Sequence, residues 1–119
     1  RITDKSLNIF SNDSETLVLN GSNSKVLENG KLDLKSALIK LGTLGINNLL
    51  LEAGNGLNGA MMDADLIDEF VIYSAPIILG SDAQPMMQIP LKEMSEKISL
   101  KIIELTQVAD DIKIRAVPL

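Results

Sequence analysis

The chain has 119 residues, of which 45% are hydrophobic and 23% charged, with a net charge of −5. That composition is expected of one globular domain over residues 1–119, and arginines at positions 1 and 115 alone argue against a nucleic-acid partner. The absence of Cys and His excludes a thiol nucleophile, an imidazole base, a disulfide framework and a zinc site built on those ligands. No metal is expected, and any chemistry falls to carboxylates or a bound cofactor.

The stretch to Asn29 is polar and rich in turn formers. Within it Thr16–Leu19 (TLVL) predicts a short strand, closed by the turn signal Asn20-Gly21. Leu34, Ala37, Leu38 and Leu41 fall at i, i+3, i+4 and i+7, with Asp33 placed as N-cap and Gly45 as C-cap. The spacing predicts an amphipathic helix over Asp33–Leu44. Asn48–Glu52 carries a continuous apolar run, Leu49–Leu51, up to its closing acid, the pattern of a strand buried on both faces of a parallel sheet. Leu57, Ala60, Met61 and Ala64 then predict a short helix from about Gly56 to Asp65.

Asp68–Leu79 (DEFVIYSAPIIL) is a β-branched and aromatic run punctuated by Pro76 and Gly80, and completes a strand–loop–helix–strand unit with a right-handed crossover. After a loop at Gly80–Pro90, Ile98–Gln107 and Ile112–Val117 read as an antiparallel hairpin turning at Val108–Asp111. No apolar stretch approaches the ~20 residues needed to span a bilayer, and RITDKSLNIF lacks a signal core. The expectation is a cytoplasmic protein with no membrane partner.

The segment LLLEAGNGLNGAMM places Gly54, Gly56 and Gly59 as G-x-G-x-x-G between a predicted strand and a predicted helix. Glycines let backbone amides approach a phosphate, and a helix's first turn offers unpaired N–H groups carrying partial positive charge. The same glycines can equally tighten a turn and let the helix pack closely. A Rossmann unit would require an acid about 20 residues on and further βα units; Asp82 is a loose match and the units are missing. Glu52, closing an apolar strand, is placed either to accept hydrogen bonds from a polar substrate or to cap the following helix. Asp68-Glu69 and Asp110-Asp111 read as solvated strand-start and turn charges, and Met61-Met62 and Met86-Met87 as core or interface filling.

As an ordered set these motifs resemble the reductase domain of the bifunctional riboflavin-biosynthesis deaminase/reductase (RibD) family. The match runs from about Leu32 to Pro118 through Glu52-Ala53-Gly54, Gly59-Ala60, Leu66-Ile67-Asp68-Glu69, Ala75-Pro76, Leu79-Gly80 and VADDIKIRAVP. The resemblance implies an α/β dihydrofolate-reductase-like fold, a mostly parallel sheet flanked by helices with a C-terminal antiparallel hairpin. It also implies NADPH as hydride donor and a 5-amino-6-(5-phosphoribosylamino)uracil substrate whose ribosyl group is reduced to a ribityl chain.

Carried over by position, Glu52 matches the substrate-contacting acid. Gly54, Asn55, Gly56, Leu57, Asn58, Gly59 and Ala60 match the stretch around the NADPH phosphates. Ala53 stands where the family has a glycine, and a cis peptide between Ala53 and Gly54, costing about 3 kcal/mol, would mark a functional constraint. RITDKSLNIF resembles a strand partway through the reductase domain, which implies that earlier strands of the site are missing. A sheet edge left exposed in this way predicts a homodimer or higher homo-oligomer. The alternative, of another class, is a non-catalytic nucleotide-binding or oligomerisation module that retains the fold.

Overall fold

The structure, a computed structural model, describes residues 6–11 and 15–119 and divides into two compact units, residues 1–47 and 48–119. In the first unit, α1 spans Leu34–Thr43. Asp33 caps it, its Oδ1 accepting from the Ser36 amide at 3.0 Å and its Oδ2 from the Ser36 hydroxyl at 2.8 Å. The Ser36 amide holds the Asp33 carboxyl down at about 2, with the Ser36 hydroxyl and Lys25 adding to the effect. At the other end Gly45 takes φ +84°, the Gly45 amide donates to Gly42 and the Ile46 amide to Leu41. These are the two bonds of a Schellman stop, which requires the left-handed region at its glycine. Both predicted caps are therefore present.

The predicted strand at Thr16–Leu19 is not formed. Asn23 Nδ2 donates to the Val18 carbonyl at 2.6 Å, and the Asn20 amide donates to Asn23 Oδ1 at 2.8 Å. The asparagine side chain thus takes an acceptor that a strand would offer to a neighbour. The Asn20-Gly21 turn is present, closed by Asn23 N–H to Asn20 O at 3.1 Å. The family-like RITDK segment lies outside the described residues.

In the second unit, α2 spans Asn55–Asp63 and is followed by three strands, β1 (Phe70–Ser74), β2 (Leu100–Val108) and β3 (Asp111–Pro118). The strand order is β1-β3-β2 and both pairings are antiparallel. The C-terminal hairpin is as expected, with Val108 opposite Asp111 and a bulge between Ile102 and Glu104. The parallel part of the expected sheet is a correction. Residues 48–52 form no strand and pair with none of the described residues, and Leu50 is 77% exposed.

A two-sided buried strand needs hydrogen-bonded neighbours on both edges. The long run predicted at Asp68–Leu79 is paired only over Phe70–Ser74; past Ser74 the chain leaves the sheet, and Ile77, Ile78 and Leu79 are exposed. Pro76, with no N–H to donate, agrees with that exit.

Pairing alternates the two faces of the sheet. Phe70, Ile72, Ile114, Ala116, Ile102 and Leu105 fall on one face, and Val71, Tyr73, Lys113, Arg115, Glu104 and Thr106 on the other. The buried apolar residues of this unit are Met61, Met62, Phe70 and Ala116, so Met61-Met62 fills the core as expected while Met86 stays exposed. On the polar face Arg115 is flanked by two acids. Its Nε and Nη2 donate to Glu69 at 2.5 and 3.0 Å, and its Nη1 donates to Glu104 at 3.0 Å. Lys113 Nζ adds a second cation to Glu104 at 3.2 Å. Glu69, expected to be solvated, is instead half of a bidentate ion pair.

Candidate functional site

Helix α2 begins where the glycines sit. Gly54 is its N-cap in extended geometry, with no side-chain cap hydrogen bond and no acid in the first turn. The Asn58 amide closes the first turn on the Gly54 carbonyl at 3.1 Å. The preceding amides, those of the first turn, have no acceptor within the helix. Around Gly54 and Gly56 an added Cβ would meet nothing within 4 Å. An open glycine turn with bare N–H groups and no nearby carboxylate in its first turn fits a phosphate oxygen. The peptide between Ala53 and Gly54 is trans, since the described residues contain no cis bond.

The third glycine differs from the other two. Gly59 is buried, and a Cβ there would lie 2.1 Å from the Gln88 carbonyl oxygen and 2.8 Å from its carbon. Its lack of a side chain serves packing against residues 84–88, a segment that crosses the start of α2. That segment is tied down by further contacts. The Gln88 amide donates to Asn55 O at 3.0 Å, and Asn55 Nδ2 donates to Gln84 Oε1 at 2.8 Å. Asn58 Nδ2 donates to Ala53 O at 3.1 Å and, more weakly, to Met86 O at 3.3 Å. The side-chain amides of Asn55 and Asn58 are therefore engaged within the protein.

Among the remaining candidates, Leu57 and Ala60 are exposed on α2. Glu52 is an exposed carboxylate with no hydrogen bond or ion pair to another described residue. It stands next to Ala53, whose carbonyl Asn58 holds, so the acid and the glycine turn share one backbone anchor. It does not cap α2, because that helix has no side-chain cap. Nothing in the sequence marks Gln84 and Gln88, and Met86 is marked only as core or interface filling. They sit in a Pro-containing loop with no motif; the steric demand at Gly59 reveals Gln88, and the hydrogen bonds of Asn55 and Asn58 reveal Gln84 and Met86.

A cavity of about 570 Å³ in this unit lies elsewhere, at the C-terminal end of α2, lined by Met62, Asp63, Asp65, Lys97 and Ser99 among others. None of the predicted site residues lines it. The glycine turn is the better candidate on chemical grounds, because a phosphate is favoured at a helix N-terminus and opposed at a C-terminus bearing acids. Among the described residues no helix is long and apolar enough to cross a membrane.

The model of the RibD C-terminal domain matches residues 2–114. The chain belongs to the RibD C-terminal domain family. It is 41% identical over 86 residues to the riboflavin biosynthesis protein RibD of Haemophilus influenzae and 38% identical over 84 residues to that of Escherichia coli, covering 71% and 70% of this chain. In each case it spans 23% of the relative's length. It is also 39% identical over 87 residues to the 5-amino-6-(5-phosphoribosylamino)uracil reductase of Buchnera aphidicola, covering 72% of this chain and 42% of that protein. Among solved structures, Acinetobacter baumannii RibD aligns with a TM-score of 0.68 at 28% identity, over 75% of this chain and 26% of that one. Those neighbours support an α/β reductase fold of the dihydrofolate-reductase type as the setting of the three antiparallel strands.

Proposed function

We propose that this chain is part of a 5-amino-6-(5-phosphoribosylamino)uracil reductase, which reduces the ribosyl group of its substrate to a ribityl chain with NADPH. The observation that carries the reading is membership of the RibD C-terminal domain family, with a relative bearing that reductase name at 39% identity over 72% of the chain. An archaeal relative, 32% identical over 84 residues, carries a closely similar reductase name. The open glycine turn at Gly54–Gly56 adds independent support for a phosphate-bearing cofactor.

In this reading NADPH supplies the hydride when bound, and the chain supplies binding and orientation. The first-turn amides of α2, at Asn55, Gly56 and Leu57, hold a cofactor phosphate, and Gly54 and Gly56 leave the approach open. Gly59 and Ala60 extend the same wall, Gly59 through packing and not through contact. Asn55 and Asn58 act through their main chain and through the contacts that fix the turn. Glu52 accepts a hydrogen bond from a substrate hydroxyl or ring N–H, which orients the substrate without transferring a proton. The reductase works in the cytoplasm on a soluble pyrimidine ribosylamine phosphate.

Homo-oligomerisation belongs to the same proposal. The outer edges of β1 and β2 pair with no described strand, and Ile102 and Leu105 are exposed beside them; unpaired edges and apolar faces of this kind seek partners. A monomer in light scattering of this 119-residue chain at high concentration would overturn that part.

The cofactor assignment is tested with Gly56→Asp in the full-length protein. A Cβ at Gly56 meets nothing within 4 Å, so the fold tolerates the side chain while its charge opposes a phosphate. A rise of tenfold or more in KM for NADPH is expected, about 1.4 kcal/mol. Unchanged KM would remove the glycine turn from the cofactor site. Gly59→Asp is the poorer variant, because steric conflict with Gln88 would unsettle the loop whatever the charge does.

A further inference from the structure

We propose that Asn58 is a positioning residue of this site, and that residues 84–88 form a strap which it fastens. The proposal rests on the reading that the first turn of α2 holds a cofactor phosphate. One side-chain amide of Asn58 reaches two carbonyls from separate parts of the chain, Ala53 O at 3.1 Å beside Glu52 and Met86 O at 3.3 Å in the strap. A primary amide offers two N–H donors from one nitrogen, where a hydroxyl of similar reach offers one and a carboxylate none.

The strap makes two further bonds to the first residue of the helix, Gln88 N–H to Asn55 O at 3.0 Å and Asn55 Nδ2 to Gln84 Oε1 at 2.8 Å. Gly59 lets the strap backbone lie directly on the helix. Three separate contacts therefore hold the stretch Ala53–Asn55, one from Asn58 of the helix and two from the strap. A turn without a side-chain cap leaves its first amides without a side-chain acceptor of their own. The strap restrains that turn. Displacing the strap releases Asn55 O, the Asn55 side chain and one of the two bonds that orient Asn58, so the first-turn amides and the Ala53 carbonyl that Asn58 holds lose their outer restraint together.

Two variants of the full-length protein test this. Asn58→Asp keeps the shape and replaces the donors by a carboxylate facing two carbonyls. Gln84→Ala removes the strap's 2.8 Å bond from an exposed position without touching the helix backbone. The expected result is a rise in KM for NADPH of tenfold or more in Asn58→Asp and of about threefold in Gln84→Ala. In Gln84→Ala the kcat at saturating NADPH stays within twofold and the Tm within about 2 °C. A merely structural tie would lower Tm and leave KM for NADPH where it was, and that outcome in Gln84→Ala overturns the proposal. If Asn58→Asp fails to fold, Gln84→Ala decides alone. If Gly56→Asp leaves KM unchanged, the cofactor reading itself has failed; if Gly56→Asp raises KM while both strap variants do not, only the strap has failed.

Discussion

Replacing each glycine of the turn by alanine separates the two uses to which the motif is put. At Gly59 the new methyl would sit 2.1 Å from Gln88 O, over an ångström inside the 3.4 Å at which ordinary contact begins, and the obstacle is backbone. The strap must therefore lift. Overpacking of this kind costs about 1–3 kcal/mol. Lifting it stretches the Gln88 N–H to Asn55 O bond, worth about 1 kcal/mol. Alanine returns up to about 1 kcal/mol through its better helix propensity, which leaves a net loss of roughly 1–3 kcal/mol.

At Gly56 nothing lies within 4 Å, so only the propensity remains and a gain of up to about 1 kcal/mol is expected. Urea unfolding followed by far-UV circular dichroism reads both. With a slope of about 1–3 kcal/mol per molar urea, the midpoint falls by roughly 1 M for Gly59→Ala and rises slightly for Gly56→Ala. A Gly59→Ala protein as stable as its parent would refute the close packing of strap on helix.

Ala109 begins the two-residue turn of the hairpin at φ +53°, a conformation that L-residues resist and glycine accepts freely. Ala109→Gly should raise stability by about 1 kcal/mol in the same urea assay, and a loss would place the strain elsewhere. The Arg115 guanidinium, with Lys113 and the Thr106 hydroxyl, holds the Glu104 carboxyl down from 4.5 to about 2, and Arg115 also lowers Glu69. Because the folded value is depressed, this stabilisation is fully present above pH 4.5 and fades as pH falls toward 2. Glu104→Gln should flatten the pH dependence of the unfolding midpoint across that window, and an unchanged slope would remove Glu104 from the network. The pairs are part-exposed, so 1 M salt should weaken the effect in the parent.

The parts legible in the sequence are those whose causes are local. Asp33 and Gly45 mark the ends of α1 because capping bonds reach only three to five residues, to Ser36 at one end and to Leu41 and Gly42 at the other. The C-terminal hairpin is legible for the same reason, since a two-residue turn sets the register of both strands. Residues 48–52 carry the composition of a buried strand, yet a strand exists only through its neighbours, and none of the described residues pairs with it. Val18 shows the converse, an apolar run whose carbonyl an asparagine side chain takes first.

The candidate site divides along the same line. Gly54 and Gly56 behave as the local pattern suggests, opening the start of a helix. Gly59 looks identical in the motif, but its reason lies at Gln88, 29 positions along the chain, and no spacing rule within the motif contains it. Glu69 departs from the solvated charge its local sequence suggests for a related cause. Its partner Arg115 is 46 residues away and comes within reach because β1 pairs with β3, setting Val71 opposite Arg115 and bringing the end of Glu69 alongside. A charge beside a strand is solvated only if the neighbouring strand carries no counter-charge at the matching register, and register is a property of the folded sheet. The three glycines of one motif thus have two surroundings, open space at Gly54 and Gly56 and the protein's own backbone at Gly59.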